Sequence, residues 1–441
     1  MSDRIDSHAP SGFRDLLPRD AQVRQSVMDR IKAVFERFGF IPLDTPALER
    51  EEVLTGGDPA FAKQIYRARI TEDDEPLALR FDLTVPLARF IAAHADKLTF
   101  PLARYHMGNV WRGEHAQAGR YRQFVQCDAD IVGGRAPVAD AQTLALAYAV
   151  FAELGLAQKV SMRISDRRIL GSLAEFLEFD PKFTPVVLRA IDKMDKQGWD
   201  SVALELKNKC GLDTAQIDGI QELLDLKGDT PEALLDQAHL MLQHCPSAHA
   251  GVEALRSLIT TLDALRVPRD AWSLDLSIAR GLGYYTGMVF ETTLTGLPQY
   301  GSVCSGGRYD DLVARFSPLK LSGVGMSLGL DRLLAALDEL NVVFPSSGGP
   351  KLALLDFEPT ARADVLGLAG TLREAGISTA LYVGPEETLK GQLSWAVKMG
   401  FPYVAIMGAS EKANGVVQLK EMVARTQEEV PFADLPKRLT A

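Results

Sequence analysis

Clustered cysteine is missing from this chain of 441 residues: Cys127, Cys210, Cys245 and Cys304 are scattered, with no C-x-x-C pair. That spacing argues against a disulfide framework or a cysteine-rich zinc site and fits a reducing cytoplasm. An excess of basic charge is missing too, since the formal net charge is −10. Indiscriminate nucleic-acid binding needs many phosphate-neutralising cations, so only a local, specific nucleic-acid contact suits this balance. No apolar run reaches transmembrane length, and the opening MSDRIDSHAP lacks the apolar core of a signal peptide. The expectation is a cytoplasmic protein with no membrane partner.

Two nucleotide-binding signatures are also absent. There is no G-x-x-x-x-G-K-S/T loop, so a nucleotide would have to be held by arginines and bound metal. The stretch ARGLGYYTGMVFE, residues 279–291, spaces Gly281, Gly283 and Gly287 as G-x-G-x-x-x-G, one residue too long for the dinucleotide fingerprint. Met288-Val289-Phe290 then suits a strand rather than an opening helix, which leaves Arg280, Tyr284 and Tyr285 on a turn before a strand. Among the few histidines, His239 and His244 beside Cys245 lack zinc spacing, and His106 and His115 are read as hydrogen-bonded rather than catalytic.

What is present is ordinary for a globular chain of two or three domains, with 46% hydrophobic residues. Val27, Ile31, Val34, Phe35 and Phe38 recur at helical spacing before Gly39. Residues 77–133 read as strands and turns, and 165–265 as a helical insertion. Strand texture returns at 272–305, and a helix is expected from about Asp331 to Leu340. SSGGP, residues 346–350, reads as a linker. Beyond it LALLDF, TALYV and YVAIM alternate with helical stretches, as expected of a compact α/β unit with a largely parallel sheet.

The most unusual chemistry lies in residues 80–135. Eight cations (Arg80, Arg89, Lys97, Arg104, Arg112, Arg120, Arg122, Arg135) face five acids (Asp82, Asp96, Glu114, Asp128, Asp130), a local +3 in an acidic chain. Seven of the eight are arginine, the residue suited to two-pronged contacts with phosphate or carboxylate, and WRGEHAQAGRYRQF as a unit favours an anion site. Asp128 and Asp130, two apart, share one face of a strand. With Glu114 they could pair with arginine, coordinate magnesium or receive a cationic substrate. Tyr309, after two glycines, is a candidate pocket lining.

Together these stretches resemble the histidyl-tRNA synthetases, a family of class II aminoacyl-tRNA synthetases. The match is carried by FRDLLP, LRFDLTVPLARF, VWRGEHAQAGRYRQFVQCDADIVG, ARGLGYYTGMVFE with SGGRYD, and GVGMSLGLDRLL; LKGQLSWAVKMGFPYVAIMGASEKANGVVQLKEM resembles the family's anticodon-binding domain. The resemblance implies an α+β fold: an antiparallel sheet with flanking helices and a helical insert in residues 1–345, then a small α/β domain in 351–441. It also implies a homodimer with Pro46 near the interface, and L-histidine, tRNA(His) and ATP with Mg²⁺ as substrates, with no zinc.

By match, Arg280 and Arg112 are catalytic. Arg112, Glu114, Arg120, Phe124 and Arg332 hold ATP. Asp82, Thr84, Gln126, Asp130, Arg280, Tyr284, Tyr285 and Tyr309 hold histidine. Gly283, Ala116 and Gly113 depart from the residues usual in the family; the latter two fall in the loop that reaches the tRNA acceptor end. Two related readings compete. One is the regulatory paralogue that partners an ATP phosphoribosyltransferase, which usually lacks the anticodon-binding domain; the other is a paralogue that forms an adenylate but loads no tRNA.

Overall fold

The computed structural model describes residues 5–56, 64–71, 73–113, 119–279, 284–342, 344 and 351–440. They form two compact units: one of residues 1–15 and 27–343, the other of residues 16–26 and 344–441. The SSGGP linker expected at 346–350 lies outside the described residues.

The larger unit is built on an eight-stranded sheet. Its strands are β1 (Ile41–Pro42), β5 (Leu102–Trp111), β6 (Gln123–Val132), β7 (Val160–Asp166), β8 (Trp272–Leu274), β9 (Met288–Leu294), β10 (Ser302–Tyr309) and β11 (Gly323–Gly329). Across the sheet they run β1-β5-β6-β11-β10-β9-β7-β8. The six central strands are antiparallel, but β1 and β8 join their neighbours in parallel, so the sheet is mixed rather than purely antiparallel. A small antiparallel sheet is made by β2 (Leu48–Arg50), β3 (Tyr66–Ala68) and β4 (Leu77–Leu79).

Helix Val138–Glu153 lays Leu144, Ala147 and Phe151, all fully buried, into the core of this unit. The expected insertion is helical from Arg167 to Ala264, between β7 and β8. Its helices begin where the sequence supplies caps: Asp213 and Gln216 form a capping box, and Thr230 accepts from the Ala233 amide ahead of a helix opened by Pro231. A helix at Thr84–His94 was not expected from the strand-like texture of 77–133. The helix expected near Asp331 runs from Leu330 to Glu339, directly after β11.

In the second unit, β12 (Leu352–Leu354) pairs in parallel with β13 (Thr379–Leu381) and β14 (Tyr403–Ile406). An antiparallel hairpin of β15 (Val416–Glu421) and β16 (Thr426–Pro431) extends the sheet, so the largely parallel expectation holds for three strands of five. Its core gathers Leu352, Leu354, Val365, Leu372, Val417 and Leu419. Among the described residues no helix is long and apolar enough to cross a membrane.

Candidate active site

Three strands make the floor of a cavity of about 240 Å³ in the larger unit. Register places residues of like parity on one face: Gln126, Asp128 and Asp130 of β6 stand opposite Gly329, Ser327 and Gly325 of β11, and Ser305, Gly307 and Tyr309 of β10 follow beyond. Phe124 continues the β6 row, and the six steps from Phe124 to Asp130 span roughly 20 Å at about 3.4 Å each. The site is therefore elongated, with different chemistry at its two ends.

One end is cationic and aromatic. The Arg112 guanidinium lies over the Phe124 ring, 5.2 Å from its centroid, and donates from Nε to the Phe81 carbonyl at 2.9 Å. Arg332, in the first turn of its helix, donates to the Ser302 carbonyl. Arg120 also lines the cavity and has no carboxylate partner among the described residues. This set suits a planar, anionic ligand: the ring and guanidinium offer faces for stacking, and the cations can meet phosphate.

The other end is acidic and phenolic. Tyr309 donates its hydroxyl to Asp130 Oδ1 at 2.6 Å, while Arg104 Nη2 lies 2.6 Å from Asp130 Oδ2. Tyr284 packs edge-on against both Tyr285 and Tyr309, with centroids 4.9 and 6.0 Å away. Asp82 accepts from the Val85 amide at 3.2 Å, and its second carboxylate oxygen is buried without a protein partner.

Glycine makes this end possible. A Cβ on Gly325 would stand 2.0 Å from Asp130 Oδ1, and one on Gly323 would stand 2.2 Å from the Tyr309 ring. The glycines of GVGMSLG are thus spacing for two buried side chains, not a phosphate cradle.

Burial dominates the electrostatics. It pushes the Asp82 carboxyl up to about 6, against the Val85 amide and Arg112. It pushes Asp128 up to about 8, with neighbouring Asp130 adding to the rise. Asp130 is raised too, although Arg104 and Tyr309 pull it down. Burial and the guanidinium of Arg104 hold His106 down at about 4, so its imidazole is neutral near pH 7.

Of the residues singled out from the sequence, Asp82, Thr84, Arg112, Arg120, Phe124, Gln126, Asp130, Tyr284, Tyr285, Tyr309 and Arg332 all line this one cavity. Glu114 and Arg280 lie outside the described residues, as do Ala116, His115, Gly281 and Gly283. Gly113 is described: its amide donates to the Gln64 carbonyl at 2.8 Å, and a Cβ there would stand 3.3 Å from that oxygen. The close backbone contact leaves little room for a side chain here unless the Gln64 carbonyl shifts by a few tenths of an ångström.

WRGEHAQAGRYRQF, favoured from the sequence as an anion site, brings two of its three arginines, Arg112 and Arg120, to the cavity. Arg80 donates to the Thr45 and Asn109 carbonyls, Arg89 grips Glu49 with two nitrogens, Arg122 donates to the Ser11 carbonyl, and Arg135 is exposed. Only Arg112 and Arg120 of the seven line the cavity. Ser327 and Tyr121, which line it as well, were missed. So was Asp331, which accepts from the Val125 amide at 2.7 Å and pairs with Arg14 at 2.5 Å. Its place directly before Arg332 was the available signal.

Residues 12–333 match the family model for histidyl-tRNA synthetase, and residues 342–441 match that for an anticodon binding domain. The chain belongs to the histidyl-tRNA synthetase family. It is 41% identical to a histidine–tRNA ligase of Wolinella succinogenes over 415 residues, 93% of each chain. To the enzyme of that name from Rhodopirellula baltica it is 41% identical over 425 residues, 96% of this chain and 95% of the other. The crystal structure of histidyl-tRNA synthetase from Nostoc sp. PCC 7120 superposes with a TM-score of 0.87 at 35% identity, covering 99% of both chains. A Bacillus halodurans structure described as an ATP phosphoribosyltransferase regulatory subunit/histidyl-tRNA synthetase shares the fold at 22% identity, with a TM-score of 0.76. The mixed sheet with flanking helices and the separate α/β unit are the class II synthetase architecture expected from the sequence.

Proposed function

We propose that this chain is a histidine–tRNA ligase that joins L-histidine to ATP as histidyl-adenylate and transfers the histidyl group to the 3′ end of tRNA(His). The observation that carries the reading is the convergence of eleven residues, chosen from separated stretches of sequence, on one two-ended cavity. The match to an anticodon binding domain at 342–441 weighs against a regulatory paralogue.

In the first step a histidine carboxylate oxygen attacks the α-phosphorus of ATP and pyrophosphate leaves. Two anions must approach, and charge builds on a five-coordinate phosphorus, so fixed cations lower the barrier. Arg112, Arg120 and Arg332 are assigned to ATP, with Phe124 stacking on the base and Glu114 a further contact. Arg280 is assigned to the meeting point of carboxylate and α-phosphate. Asp82, Thr84 and Gln126 hold the amino and carboxylate ends of histidine, Asp130, Tyr285 and Tyr309 its imidazole, and Tyr284 lines the same pocket. Mg²⁺ arrives with ATP as part of the substrate. In the second step a hydroxyl at the tRNA 3′ end attacks the adenylate carbonyl and AMP leaves. The reading includes a cytoplasmic homodimer with residues 1–345 as catalytic domain and 351–441 reading the anticodon.

The test is histidine-dependent ATP–pyrophosphate exchange followed by aminoacylation of total tRNA. Exchange with charging supports the ligase, exchange alone supports an adenylate-forming paralogue, and neither supports a regulatory subunit.

A further inference from the structure

A buried carboxylate stands behind the cationic end of the cavity. Asp331 is 4% exposed and does not line the cavity, yet it directly precedes Arg332, which does. Strand β11 ends at Gly329 opposite Gln126, and the amide of Val125, one residue further along β6, donates to Asp331 Oδ2 at 2.7 Å. The carboxylate takes over where the strand stops. Its other oxygen, Oδ1, accepts from Arg14 Nη2 at 2.5 Å. The same guanidinium lies over the Tyr121 ring, 4.1 Å from its centroid, and Nη1 donates to the Tyr121 hydroxyl at 3.2 Å. Tyr121 lines the cavity, and Arg14 does not.

Arg14 comes from an N-terminal segment laid against this end of the site. The Arg122 amide donates to the Gly12 carbonyl at 2.8 Å, and its guanidinium donates to the Ser11 carbonyl at 3.1 Å. On its other side the Arg122 carbonyl accepts from the Arg112 amide at 2.8 Å. Residue 122 is thus held between the N-terminal segment and an arginine of the cavity. Two demands meet at residue 14. A planar guanidinium can lie flat on a ring while its edge donates to a carboxylate, which the compact ammonium of lysine cannot do. Its charge also balances Asp331, which without a cation would be a buried negative charge beside a site for phosphates.

We propose that Arg14 is a positioning residue for the nucleotide: through Tyr121 and Asp331 it fixes the segment before β6 against the start of the Arg332 helix, and it balances the charge behind the cations assigned to ATP. The inference rests on that assignment and deepens it. None of the three hydrogen bonds, Arg14 to Asp331, Arg14 to Tyr121 and Val125 to Asp331, reaches the histidine end.

The experiment compares the full-length protein with Arg14→Met and Arg14→Lys in histidine-dependent ATP–pyrophosphate exchange, measuring KM for ATP and for histidine separately and recording the melting temperature. Arg14→Met should raise KM for ATP about tenfold and leave KM for histidine within about twofold, because lost positioning of one substrate registers in that substrate's binding. Arg14→Lys keeps the charge but loses the flat contact, so its KM for ATP should rise about threefold. A merely structural role would lower the melting temperature and the active fraction, hence kcat, with both KM values unchanged. That result, or equal rises for the two substrates, overturns the inference while leaving the assignment of this end to ATP intact. Should Arg14→Met fail to fold, Arg14→Lys decides by the same comparison of KM values. Absence of exchange in the unaltered protein would remove the ATP reading itself, and this inference with it.

Discussion

Arg104 and Asp130 form an ion pair from which solvent is shut out: the guanidinium is fully buried, the carboxylate 3% exposed, and they meet at 2.6 Å across the β5–β6 register. Breaking such a pair leaves one buried charge unmatched. Arg104→Met is expected to destabilise the fold by about 3–5 kcal/mol in urea unfolding. Adding Asp130→Leu should recover most of that loss without restoring histidine binding. A single variant as stable as the parent would show that the pair contributes no structural constraint.

Gly325→Ala tests the space around Asp130. The new methyl would stand 2.0 Å from Asp130 Oδ1, so the carboxylate must move. Histidine affinity should fall at least tenfold, in line with overpacking costs of about 1–3 kcal/mol, while ATP binding at the arginine end changes little. Comparable losses for both ligands in equilibrium binding would mean that the two ends are not independent.

The elevated carboxyl of Asp128 gives a pH signature. Its folded value of about 8 lies above the ordinary 3.8, so between those limits the folded chain holds a proton that the unfolded chain has released. Stability contributed by this group is greatest below about pH 4, falls as pH rises through the window, and levels off above pH 8. Asp128→Asn removes that dependence. Relative to the parent, the variant should gain stability steadily from pH 4.5 to pH 8 in chemical unfolding. A pH-independent difference would place Asp128 at an ordinary carboxylate pKa.

Arg280→Ala, at a position outside the described residues, should leave histidine binding largely intact. It should slow adenylate formation by the two to three orders of magnitude that correspond to about 3–4 kcal/mol of transition-state stabilisation. Near-parental pyrophosphate exchange would end the assignment.

A chain cut within SSGGP should still make histidyl-adenylate but charge tRNA poorly, with a deficit that depends on the anticodon supplied. Residues 351–441 carry ten Arg/Lys against eleven Asp/Glu, so affinity there must come from base contacts rather than general phosphate attraction. The cut chain keeps residues 16–26, which belong to the unit that is removed, and its melting temperature should therefore drop. Equal charging by cut and full-length protein would deny the domain a tRNA-reading role.

The sequence was most informative where motif chemistry is local, and least where burial erases pattern. Helix Thr84–His94 escapes notice because Thr84, Val85, Pro86, Leu87, Ala88 and Ile91 are all buried, leaving too little of a polar face to mark the 3.6-residue period. The β15–β16 hairpin escapes for the opposite reason: β16, TQEEVP, is exposed at every position but Val430. The cavity residues were legible through their motifs. Their supports were not, because no spacing in one dimension tells that Arg104 will face Asp130 or that Ser327 will face Asp128.

The glycine floor also sets how this site can be re-engineered. A pocket is usually widened for a bulkier ring by trimming the residues beneath it, but Gly323 and Gly325 have nothing left to trim. Room has to come from the tyrosines. At Tyr309 any truncation also removes the hydroxyl that holds Asp130, so size and recognition change together. Tyr285, whose ring packs on Tyr284 and over Gly307, can be shortened without touching that bond. It is the position from which a library for alkylated imidazoles should start.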